Sequence, residues 1–72
     1  MSKVIDTYQQ LYPDESGGQI ILTAVLTQDF RGQQAVYVGI GGKDFVKRHG
    51  QKQTYDRAKY FYPGLKKENY RR

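Results

Sequence analysis

Near the start of the chain, hydrophobic and polar residues follow the spacing of an α-helix. Val4 is followed by apolar or aromatic side chains one, four, seven and eight positions later, and Ser2 stands where it can cap the first turn. This spacing predicts a helix that ends at Pro13, because proline has no N–H to donate and clashes with the preceding turn. The polar, glycine-containing residues 14–18 predict a turn.

Two segments with the alternating pattern of β-strands come next. Residues 19–27 are rich in β-branched side chains, and residues 35–40 place Val36, Val38 and Ile40 on one face. Because a short link with a glycine joins them, they predict an antiparallel hairpin. Two strands alone are marginally stable in water. We therefore expect either the flanking helices to cover the hairpin or a second copy of the chain to extend it.

The remaining third of the chain contains two predicted helix starts. Asp44 can cap a short helix that ends at Gly50 in a left-handed conformation, and Thr54 can cap a second helix that stops before Pro63. An alternative treats residues 60–62 as a third short strand, since aromatic side chains suit strands.

The predicted fold is a small α+β domain. It consists of the N-terminal helix, the antiparallel hairpin with the alternative third strand, and one or two short C-terminal helices. We expect residues 1–64 to form this single domain and residues 65–72 to form a basic C-terminal tail.

A glycine-containing loop joins the second strand to the first of these helices. Gly39, Gly41 and Gly42 precede Lys43, and a strand followed by glycines and a helix start is an arrangement that can receive an anion. A nucleotide-binding loop needs Ser or Thr after its lysine, whereas Asp44 stands here. The sequence therefore favours a simple turn, with a single backbone phosphate as the alternative.

Charge is distributed unevenly along the chain. Residues 1–42 carry two cationic and four acidic side chains, whereas residues 43–72 carry ten cationic and three acidic ones, within a net charge of +5. Positive charge concentrated on one part of a small protein favours polyanionic partners and speeds their approach.

Several kinds of site find no support in the sequence. The chain has no cysteine and one histidine, His49, so we expect no metal and no cofactor, and no nucleophile stands beside a base that would make it an enzyme. Apolar runs fall short of the roughly 20 residues that a membrane span requires. A cytoplasmic protein without membrane contact is therefore expected.

Cations and tyrosines are interleaved in the C-terminal half, which is typical of nucleic-acid binding. Lysine and arginine neutralise phosphates, and exposed tyrosines stack on unpaired bases. We therefore predict a non-catalytic protein that binds DNA or RNA. The candidate contact residues are Lys43, Lys47, Arg48, Lys52, Arg57, Lys59, Tyr60, Tyr62, Lys66, Lys67, Arg71 and Arg72.

The alternative function is that of a small modulator or adaptor that binds a larger protein. Tyrosine and arginine dominate protein interfaces, and the chain is rich in both. The hairpin edge carries few of the lysines that normally block pairing, so it would also allow a homodimer or pairing with another protein's sheet. Its candidate edge residues are Thr23, Thr27, Gln28, Gln33 and Gln34.

Overall fold

A computed structural model describes residues 2–71 of the chain. Four strands form one sheet in the order β1-β2-β3-β4, and each neighbouring pair is antiparallel. The strands are β1 (Lys3–Pro13), β2 (Gln19–Gln28), β3 (Gln34–Ile40) and β4 (Gln51–Lys52), and the helices are α1 (Lys43–His49) and α2 (Tyr55–Phe61). Within residues 2–71, no helix is both long enough and apolar enough to cross a membrane.

The predicted N-terminal helix is wrong, because this segment is the edge strand β1. The fold is mostly antiparallel sheet with its helices in the C-terminal half. Val4 and Leu11 are seven positions apart, a helical spacing that would put them on opposite faces of a regular strand. A register shift just after Val4 inserts one residue, so that Val4 lies opposite Thr27 and Leu11 opposite Ile21, on one face. The bulge therefore accounts for the helix-like spacing.

The predicted hairpin is present as β2 and β3, and it forms the centre of the sheet. One of its faces packs on α2 and on the C-terminal segment. Residues that lie opposite each other in antiparallel strands share a face. Ala24 and Leu26 lie opposite Val38 and Val36, so these four side chains are on this side of the sheet. The buried members of this core are Ala24, Leu26, Val36, Ala58, Leu65 and Tyr70.

Helix α1 covers the other face of the sheet. Its buried residue Val46 lies where a side chain on Gly39 would point, and Gly39 shares its face with the buried Thr23. The N-cap is Gly42, not the predicted Asp44, which lies in the first turn. Gly50 ends the helix with φ −68°, an ordinary extended conformation in place of the predicted left-handed one.

Helix α2 begins and ends as predicted. Thr54 caps it by accepting a hydrogen bond from the N–H of Arg57 at 3.3 Å, and Tyr62 is the C-cap just before Pro63. Residues 60 and 61 are helical, so the alternative strand at 60–62 is wrong. The additional strands are β1 and the two-residue β4.

The segment predicted as a tail is packed against the core. Leu65 and Tyr70 are buried, and a short 3₁₀ turn spans Lys67–Asn69. The N–H of Arg71 donates to the carbonyl of Gln34 at 2.6 Å, so the segment continues along β3. Residues 65–71 are therefore part of the domain's folded structure.

Candidate nucleic-acid interface

A groove with three cations lies beside β4. It runs between β4, the start of α2 and the C-terminal segment, and its volume is about 380 Å³. Lys52, Lys67 and Arg71 line it together with the rings of Tyr55 and Tyr70. We call this feature the basic groove. Its cations come from positions up to 19 residues apart, and the fold brings them to one place.

Tyr70 holds the C-terminal side of the basic groove in position. Its Oη accepts a hydrogen bond from the N–H of Val36 at 3.0 Å and donates to the carbonyl of Gln53. Burial raises the pKa of Tyr70, and the hydrogen bond from Val36 partly offsets this. Because one hydroxyl bonds both Val36 of β3 and Gln53, between β4 and α2, Tyr70 anchors the C-terminal segment that carries Lys67 and Arg71.

Tyr55 forms the other aromatic wall. Its hydroxyl donates to the carbonyl of Leu65 at 2.8 Å, and its ring centre lies 5.9 Å from that of Tyr70. The Nζ of Lys59 lies 5.0 Å from the Tyr55 ring centre, and that of Lys52 lies 5.9 Å from the Tyr70 ring centre. Cations at these distances are attracted to the ring faces, so the aromatic walls help to hold positive charge at the groove.

The structure divides the candidate contact residues between the two faces of the sheet. The three cations of α1, which are exposed on the face opposite α2, do not line the basic groove: Lys43, Lys47 and Arg48. Arg57, Lys59 and Tyr60 are exposed on α2, and the side chain of Tyr60 keeps 85% of its surface accessible. Lys66 is exposed at the start of the C-terminal segment, and Arg72 lies outside the described residues.

Tyr62 does not fit the predicted role of a base-stacking side chain. It is half-buried against the core, and its hydroxyl donates to the carbonyl of Ala24 at 3.3 Å. Burial, with a smaller contribution from the charge of Asp6, raises the pKa of Tyr62 to about 12. Tyr62 therefore helps to hold α2 on the sheet, and Tyr60 is the exposed tyrosine of this pair.

The two aromatic walls, Tyr55 and Tyr70, are absent from the candidate contact residues predicted from the sequence. Tyr70 falls within residues 65–72, which were predicted to form a tail. A signal for Tyr70 does exist in the sequence, because it is the one aromatic residue in the last eight, among cations. An isolated aromatic residue in such a segment is a natural anchor onto a core.

A second exposed feature lies on the α1 face. Leu11 lies opposite Ile21, whose carbonyl accepts a hydrogen bond from Gly41, and the ring of Phe45 covers Gly41. These side chains keep 56% (Leu11), 39% (Ile21) and 57% (Phe45) of their surface accessible. We call them the apolar row.

Within the part of the chain that the structure describes, no three His, Asp or Glu side chains gather as a metal site would require. Comparisons with protein-family models, with curated proteins and with solved structures found no match to this chain.

Proposed function

We propose that this protein binds a single strand of DNA or RNA, without catalysis, through the basic groove. The observation that supports this most is the convergence of Lys52, Lys67 and Arg71 around two tyrosine rings. Side chains with fixed positive charge neutralise backbone phosphates and release their counterions, which drives binding to nucleic acid. We also propose a cytoplasmic location, which cell fractionation tests.

The size of the groove favours a single strand over a duplex. A volume of about 380 Å³ suits a ligand the size of a nucleotide. Tyr60 and the cations of α2 extend the positive surface beyond the groove, and an exposed tyrosine ring stacks on an unpaired base. Stacking of this kind requires bases that are not already paired in a helix.

Two variants with the same loss of charge test this proposal. The groove variant carries Lys52→Gln, Lys67→Gln and Arg71→Gln, and the matched control carries Lys43→Gln, Lys47→Gln and Arg48→Gln on α1. Affinity for a labelled single-stranded oligonucleotide is measured by fluorescence anisotropy over a series of salt concentrations, after circular dichroism has verified folding. We expect the groove variant to lower the slope of log affinity against log salt by about 2, and the affinity at 0.1 M salt by about a hundredfold.

The control variant separates a groove from a general effect of charge. We expect it to bind within about threefold of the parent, because none of its three cations lines the groove. Equal losses in both variants would mean that net charge alone attracts the strand. Undiminished binding by the groove variant would exclude the groove as the site.

A second candidate function is binding to a larger protein, and the apolar row favours it. Exposed apolar side chains grouped on one surface are typical of protein interfaces. Such a contact would change little with salt and would be lost in a Phe45→Asp variant. A large partner recovered equally from nuclease-treated and untreated extract would support this function over the first.

A further inference from the structure

We propose that two copies of this chain pair through their β1 strands to form one continuous antiparallel sheet. Strand β1 is an edge of the sheet and pairs with β2 alone. The predicted edge pairing was placed on β2 and β3, but β2 has a partner on each side and β3 is joined to β4. The open edge is therefore β1.

The regular part of β1 carries almost none of the features that block edge pairing. Natural edges are protected by lysine, proline and bulges. In β1 a bulge lies between Val4 and Asp6 and a proline lies at position 13, so both devices are at the ends. The residues between them, 6–12, contain one charged side chain, Asp6, and no lysine.

The direction of the free backbone groups in β1 follows from its hydrogen bonds. The N–H of Asp14 donates to the carbonyl of Gly18 at 2.9 Å, so Asp14 points its backbone groups towards β2. Alternate residues of an antiparallel strand point these groups in opposite directions. Thr7, Gln9 and Leu11 therefore point their N–H and C=O groups out of the sheet. Pro13, which has no N–H, falls on the same outward side.

These outward groups are arranged symmetrically about Gln9. The regular stretch 6–12 has Gln9 at its centre, and a twofold axis there pairs Gln9 with the partner's Gln9. The same register pairs Thr7 with the partner's Leu11, so the two Gln9 residues bond each other in both directions and each Leu11 N–H reaches a Thr7 carbonyl of the other copy. The N–H of Thr7 donates to Oδ1 of Asp6 at 2.8 Å within the chain, and it must leave that carboxylate to reach the Leu11 carbonyl of the other copy. Shifting the register towards position 10 brings Pro13 into the ladder, and shifting it towards position 8 brings in the bulge.

Charge and exposed surface agree with this register. Beyond the regular stretch, this register brings the end of β1 that carries Lys3 towards the partner's turn, which contains Asp14 and Glu15, and this occurs twice by symmetry. No two like charges lie opposite each other within 6–12. Tyr8, Leu11 and Tyr12 keep 45%, 56% and 42% of their surface accessible, and their side chains would gain neighbours across the new strand pair.

A first experiment measures the assembly of the full chain and of a Gln9→Pro variant. Sedimentation equilibrium from about 10 µM to about 1 mM covers the affinities expected of a small interface. We expect a dimer for the parent. Gln9→Pro removes one outward N–H from each copy, and we expect the dimer dissociation constant to rise about thirtyfold, since each lost hydrogen bond is worth about fivefold. Circular dichroism tests whether the variant monomer is folded. We expect it to be, since the outward N–H of Gln9 takes no part in the pairing of β1 with β2.

A second experiment fixes the register without depending on the proline variant. The chain contains no cysteine, so Gln9→Cys and Gln10→Cys each introduce a single thiol. Hydrogen-bonded partners in an antiparallel pair have Cα atoms about 5.5 Å apart, which is within the range of a disulfide. Under oxidised glutathione we expect Gln9→Cys to form a covalent dimer quickly. Gln10→Cys, which would face the partner's Tyr8, is the matched control and should cross-link slowly.

Three results would overturn the proposal. The parent could remain monomeric up to about 1 mM, which would leave β1 open to a strand of another protein. Gln9→Cys could cross-link no faster than Gln10→Cys, which would exclude an axis at Gln9. A folded Gln9→Pro variant could also dimerise as well as the parent, which would exclude main-chain pairing along β1.

Discussion

The two edges of the sheet differ in length, in charge and in what lies against them. Strand β1 presents 11 residues with two charged side chains, and β2 is its one neighbour. Strand β4 has two residues, and the chain around it closes the edge of β3: Gln53 N–H donates to Val36, and Arg71 N–H donates to Gln34. One edge is therefore covered by the chain's own basic C-terminal half, and the other is open.

Under the two proposals, this difference would let a small sheet serve two kinds of partner. Cations gather where the chain has already closed the edge, so the proposed polyanion would bind there without competing with strand pairing. Where the edge is open, cations are nearly absent and backbone groups can pair with a second copy. In a dimer joined through β1, the two basic grooves would lie at opposite ends of the sheet.

Removing the side chain of Tyr70 should have the largest effect on this comparison, because it opens the covered edge. Tyr70→Ala loses a buried ring and leaves the N–H of Val36 without its acceptor. We expect the free energy of unfolding to fall by about 3–5 kcal/mol, which is close to the whole margin of a domain of this size. Urea denaturation followed by circular dichroism measures it.

The matched variant Tyr70→Phe keeps the ring and removes the hydroxyl alone. We expect a smaller loss of about 1–3 kcal/mol, the cost of an unsatisfied buried N–H. If Tyr70→Ala were as stable as the parent, the C-terminal segment would not be closing the edge, and the basic groove would lose its wall.

Substituting Gly50 should have the next largest effect, because this residue joins α1 to β4. A Cβ there would overlap the carbonyl oxygen of Val46 and press on its side chain. We expect Gly50→Ala to lower the free energy of unfolding by about 2 kcal/mol, because α1 is displaced. Urea denaturation measures the loss. Gly64→Ala is the control, since a Cβ there meets nothing within 4 Å. Equal stability of the two variants would contradict the close packing of α1 against Gly50.

Replacing Tyr62 should have the smallest effect, and that effect should depend on pH. We expect Tyr62→Phe to cost about 1 kcal/mol at neutral pH, because the hydrogen bond to Ala24 is lost. The folded pKa of Tyr62, about 12, lies above its ordinary value of 10.0, so its contribution is complete below pH 10 and is lost as the pH rises towards 12. The difference in stability between parent and variant should shrink over this range. A constant difference would show that Tyr62 does not ionise differently in the folded protein.

The central hairpin could be predicted from the sequence, whereas the edge strand could not. The alternation in β2 and β3 is regular and rich in β-branched residues, so local pattern and tertiary pairing agree. In β1 a bulge shifts the alternation by one residue, and the spacing then resembles that of a helix. Pairing with β2 along nearly the whole strand overrides this local signal.

The candidate site could be predicted in its charge but not in its geometry. Sequence identified the cations of the C-terminal half, but it could not tell that α1 and α2 pack on opposite faces. The chain passes from α1 on one face to α2 on the other through the two-residue β4, which is too short to show a periodic pattern in the sequence. It also depends on the burial of Tyr70, which comes from contacts with β3 more than 30 residues earlier.

The most direct test of the two-edge account is an NMR titration of the labelled protein with a single-stranded oligonucleotide. We expect shift changes to concentrate at Lys52, Tyr55, Lys67 and Arg71, while the amides of Thr7 to Leu11 keep their positions. Shift changes that cluster on α1 or along β1 would contradict the assignment of the polyanion to the covered edge. Unchanged spectra at saturating oligonucleotide would contradict the proposed function itself.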